Sequence, residues 1–73
     1  MPKACLCNTN FNLSKQLVKK LKFLWAVDTY IKDAKREGFN DVAELWEKIK
    51  ADEERHSELI KEKLINAFKV GKL

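Results

Sequence analysis

Glu53 and His56 form a Glu-x-x-His pair within Asp52-Glu53-Glu54-Arg55-His56, a spacing that can turn a carboxylate and an imidazole toward one small volume. Three residues along a helix amount to roughly 60° around the axis and about 4.5 Å along it, so the two groups share a face. The triplet alone is a weak signal, because it is common on solvated helices. Its position is more telling. Counting from Val42 in steps of three and four gives Val42, Trp46, Ile49, Glu53, His56, Ile60 and Leu64, an apolar stripe that two polar residues interrupt. Carboxylate and imidazole on the inner seam of a helix bundle are the donors from which bundle-core metal sites are made.

Cys5 and Cys7 are the other pair able to do chemistry. Cys-x-Cys is tighter than the usual gap of structural zinc sites, and two thiols complete no tetrahedral site. Reduced thiols without a role, a metal or disulfide shared between subunits, and redox chemistry all stay open.

The elements that must position these groups are two helices. Residues 1–11 read as a short arm carrying Cys-x-Cys, and a first helix spans about 12–37, with Asn12 or Ser14 as its cap. Lys35 and Arg36 suit its negative end, Gly38 is a left-handed stop, and Asn40 can cap a second helix over about 41–68. Residues 69–73 form a tail, with Gly71 ending regular structure. The seam of the first helix reads Leu13, Leu17, Lys20, Leu24, Val27, Ile31 and Ala34, again with one charged residue in the middle. In an antiparallel hairpin that turns at Gly38 and pairs Ile31 with Val42, Val27 meets Trp46, Leu24 meets Ile49, Lys20 meets Glu53 and Leu17 meets His56. Both helices therefore bring their seam-breaking polar residues to one height.

Composition narrows the class. With 73 residues, 45% apolar and 36% charged, the chain reads as one small helical domain short of a self-sufficient core. The first helix carries further apolar stripes, Val18, Leu21 and Trp25 on one side and Phe23 and Tyr30 on the other, which call for more than one neighbour. The expected fold is all-α: an antiparallel helical hairpin that dimerises into a four-helix bundle, as a homodimer or a higher homo-oligomer. The net charge of +4 invites nucleic acid, but residues 12–37 hold seven Lys/Arg against three acids while 41–68 hold five against eight. Such complementary halves suit helix packing better than one basic face, so nucleic acid is disfavoured. The longest apolar run, Phe23 to Val27, is too short to cross a membrane, and the N-terminus lacks the apolar core of a signal peptide. A cytoplasmic location is the expectation.

The stretches Tyr30-Ile31-Lys32-Asp33-Ala34-Lys35-Arg36-Glu37-Gly38-Phe39, Ala43-Glu44-Leu45-Trp46 and Ala51-Asp52-Glu53-Glu54-Arg55-His56 resemble the first helical hairpin of rubrerythrins, in the ferritin-like superfamily, over about residues 20–64. The resemblance implies half of a ferritin-like four-helix bundle, with a dinuclear centre of iron, manganese or zinc formed between two hairpins. It makes Glu53 the bridging carboxylate and His56 the imidazole ligand. The family's first helix presents a lone Glu where this chain has Lys20, and an ammonium cannot ligate a metal. Two function classes follow. One is a metal-binding or redox protein with a degenerate site. The other is a metal-free dimerisation or protein-interaction module in which Lys20 supplies the positive charge beside Glu53 and the layer fixes helix register.

Overall fold

The computed structural model describes residues 7–71, which form two helices, α1 over Asn8–Arg36 and α2 over Asn40–Lys69, with no strand among the described residues. Three ion pairs join them: Lys20 with Glu53, Asp28 with Lys50 and Lys35 with Glu47. Residue numbers rise on α1 as they fall on α2, so the helices form an antiparallel hairpin.

The turn between them is three residues long and follows from Gly38. Its φ of 85° is a conformation open to glycine at little cost. That geometry lets the Gly38 N–H donate to the Lys35 carbonyl at 3.2 Å and the Phe39 N–H to the Ala34 carbonyl at 2.8 Å. These are the two bonds of a Schellman motif, and they satisfy carbonyls that the end of α1 would otherwise leave open. Lys35 and Arg36 place positive charge on the same turn, where the helix dipole is negative.

The start of α1 and the caps of both helices differ from expectation, while α2 spans its expected range to within a residue at each end. Helix α1 begins four residues before Asn12, so residues 8–11 belong to the helix rather than to the arm. Neither Asn12 nor Ser14 caps it; the cap is Cys7, which makes no side-chain bond. Within this added turn Asn10 is buried, three residues before the half-buried Leu13. At the start of α2 the cap is Phe39, and Asn40 is already helical. The short turn leaves Phe39 to present the first carbonyl, which accepts from the Ala43 N–H at 3.0 Å. Asp41 supplies the negative charge of the first turn, and its carboxylate accepts from the Val42 N–H at 2.9 Å.

All fourteen seam positions read from the sequence are buried or half-buried. The fully closed part of the core sits near the turn, where Val27 (0% exposed), Ile31, Ala34 and Ala43 pack with Phe23, Val42 and Trp46. Away from the turn Leu13, Leu17, Ile60 and Leu64 are only half covered. The Cα extents of 53 × 19 × 13 Å show why. The hairpin is about one helix thick, so each flank of the seam faces solvent.

Candidate functional site

Lys20, Glu53 and His56 lie together on the seam, roughly midway along the hairpin. The Lys20 Nζ donates to Glu53 Oε2 at 3.0 Å, and both side chains are largely covered, with 21% and 24% of their surface exposed. Two inward positions at one height on facing helices bring them into reach. His56, one turn further along α2, has Nδ1 3.6 Å from Glu53 Oε1, beyond ordinary hydrogen-bond distance. Its side chain is 43% exposed and lies at the edge of the seam. Glu53 thus has the ammonium at one oxygen and the imidazole near the other.

This arrangement sets the charge state of Glu53. The hydrogen bond from Lys20 holds its carboxyl below the usual Glu range, against the opposing effect of burial, and the charges of Lys20 and His56 add to it. The carboxylate is therefore ionised and already neutralised by a partner from the same chain. Asp28, the nearest acid to that layer on α1, is turned to another partner. It accepts from Lys50 Nζ at 2.9 Å and raises the Lys50 pKa above its ordinary value.

The donor set can be judged against a metal. Among the described residues no three His, Cys, Asp or Glu side chains cluster closely enough to hold an ion. At the Lys20 layer of one hairpin the ligand types present are one carboxylate, bonded to an ammonium, and one imidazole. This does not fit a metal held by a single chain, and Lys20 is the reason. Cys7 is exposed at the start of α1 with a free thiol, and Cys5 lies outside the described residues.

Three features were not read from the sequence. The pairs Asp28–Lys50 and Lys35–Glu47 join residues at somewhat different heights, which long side chains can span. Only the opposite charge of the two halves hinted at them. Phe23, Tyr30 and Trp46 form one aromatic cluster across the helices, with ring centroids 5.2 to 6.4 Å apart. Offset, tilted rings at such distances attract beyond simple area burial. Ser57 is buried beside the seam, and its Oγ finds no hydrogen-bond partner among the described residues.

The chain matches no family model, no curated protein and no solved structure.

Proposed function

We propose that this protein is a helical association module, a hairpin that pairs with a second copy of itself, in which Lys20, Glu53 and His56 form a metal-free polar layer that fixes helix register. The observation that carries this reading is the 3.0 Å bond from the Lys20 ammonium to Glu53, which puts a protein cation where a metal would need the carboxylate. A charge pair on a seam favours one alignment of the helices, since sliding either by one turn leaves both charges covered and unpaired. The unpartnered apolar surface supports the association half of the reading. Tyr30, Leu45 and Leu59 are apolar and exposed, surface that a second copy would cover.

A second reading is favoured by the placement of Glu53 and His56 side by side on one turn of α2. Two hairpins could bring two such pairs together, as the rubrerythrin-like motif implies, with iron, manganese or zinc between them. Metal content and chelator response separate the two. The association module is expected to carry no stoichiometric metal by elemental analysis of the purified protein, and its thermal midpoint is expected to stay within about one degree when a strong chelator is added. Metal at a fixed ratio to the chain, with a midpoint that falls on chelation, would replace this reading with the second, because a ligand bound only to the folded state raises stability by mass action.

A further inference from the structure

A helix face turned to water is ordinarily polar, and the outer face of α1, opposite the seam, is not. Counting at about 100° per residue from Lys20, which points inward to Glu53, sets Phe11, Val18 and Trp25 about 140–180° round the axis. They recur every seven residues and form one stripe about 21 Å long. Their exposures are 53%, 51% and 83%. Phe11 and Val18 border one shallow apolar depression together with Ser14, Lys15, Lys19 and Lys22.

The charge along this stripe is of one sign. Residues 8–27 hold four lysines and no Asp or Glu. Lys20 is committed to Glu53, whereas Lys15, Lys19 and Lys22 are exposed along the edge of the stripe, with no ion pair among the described residues. The acids at the same height belong to α2. Glu62, nine residues from the inward Glu53, points to the outer face of α2, about 20 Å away across two helix diameters. Ile65 and Phe68 are exposed as well, but Glu62 and Glu58 lie one and two turns before Ile65. Only the outer face of α1 joins an exposed apolar stripe to lysines without an acid among them.

We infer that this face seats on an anionic lipid bilayer, with α1 lying in the plane of the headgroups. No helix among the described residues is long and apolar enough to cross a membrane, and an apolar stripe edged by lysines is the pattern that lies along its surface. Phe11, Val18 and Trp25 enter the boundary between headgroups and acyl chains, where the amphipathic ring of Trp is well accommodated. The stems of Lys15, Lys19 and Lys22 run along the apolar surface while their ammonium groups reach the lipid phosphates. The outer acids of α2 stay beyond the roughly 8 Å over which charges act at physiological salt. Nucleic acid fits this face less well. Phe11 and Trp25 stand about four turns apart, too far to stack successive bases, and Arg36 and Arg55 are paired with Asp33 and Asp52. The self-association reading draws on Tyr30, Leu45 and Leu59, so either reading can fail without the other.

The test is co-sedimentation of the full chain, with its cysteines reduced, on vesicles of phosphatidylcholine and phosphatidylserine at roughly 2:1 and on phosphatidylcholine alone. Binding to the anionic vesicles is expected to be at least about tenfold tighter than to the neutral ones and to weaken as salt is raised. Lys15→Gln/Lys19→Gln/Lys22→Gln should weaken it on the order of a hundredfold, at about fivefold for each lysine. Lys48→Gln, on the outer face of α2, should leave it within about twofold of the parent. Trp25→Ala should weaken it about tenfold while helicity and the thermal midpoint stay unchanged. Equal binding to both vesicles, binding to neither, or Trp25→Ala bound as tightly as the parent overturns the inference. Two further outcomes also overturn it. Loss of a dimer in Trp25→Ala by light scattering would give the face to a second copy, and a single-stranded oligonucleotide held by the same lysines, without vesicle binding, would give it to nucleic acid.

Discussion

Replacing Lys20 with methionine is expected to lower stability by about 2 kcal/mol, because it leaves Glu53 charged on the seam without its cation. An exposed ion pair is worth less than about 1 kcal/mol and a buried one costs about 3–5 kcal/mol when broken from one side. With a fifth to a quarter of each side chain exposed, this pair lies between the two. The pH dependence provides a second signature. Lys20 holds Glu53 ionised below its ordinary range, so the unfolded chain takes up a proton at this group before the folded chain does. The stability that this carboxylate contributes is complete above the unfolded value of about 4.3 and is lost as pH falls through the lower folded value. In Lys20→Met that contribution disappears, and stability should decline less steeply below about pH 4.5 than in the parent. Chemical denaturation of both proteins at several pH values checks the loss and the slope together. A loss below 0.5 kcal/mol, taken as about the noise of such a surface change, with parallel acid limbs would show that the pair contributes nothing to the seam.

Trp46→Ala should have the larger effect. Trp46 joins the closed part of the core to the aromatic cluster, touching Phe23 and Tyr30, and packs against the Val27 and Ile31 layer. Truncation of a large aromatic side chain in such a place costs about 3 kcal/mol. A 73-residue chain has only a few kcal/mol of stability to lose, so the variant is expected to be largely unfolded at 25 °C. Far-ultraviolet circular dichroism reads this directly. Trp25→Ala is the contrast: its side chain is 83% exposed on the hairpin, outside the core, and its loss should change stability by under about 0.5 kcal/mol.

Much of this architecture is legible in the chain because it depends on period and punctuation. The stripes from Leu13 to Ala34 and from Val42 to Leu64 point inward because a helix repeats every 3.6 residues, and Gly38 turns the chain because its φ is positive. With those two facts the height of Lys20 opposite Glu53 follows by counting, and their bond is present. The helix starts are less legible. Asn12, Ser14 and Asn40 can all cap a helix, yet α1 starts at Asn8 with Cys7 as its cap, and the short turn passes the cap of α2 to Phe39. The cross-helix pairs of Asp28 and Lys35 escaped counting because four-carbon side chains reach past their own height. What the polar layer does chemically was legible only as alternatives. Glu-x-x-His and the rubrerythrin-like stretches point to a metal, whereas Lys20 points away from one, and the bond between Lys20 and Glu53 is the observation that weighs on the second side.

The proposed self-association is read from the absolute mass in solution. Light scattering coupled to size-exclusion chromatography, on the full chain with its cysteines reduced, is expected to give twice the chain mass at micromolar concentration, falling toward one chain on dilution. A single chain mass at every concentration, from protein whose helicity and cooperative melting show it to be folded, would contradict the account.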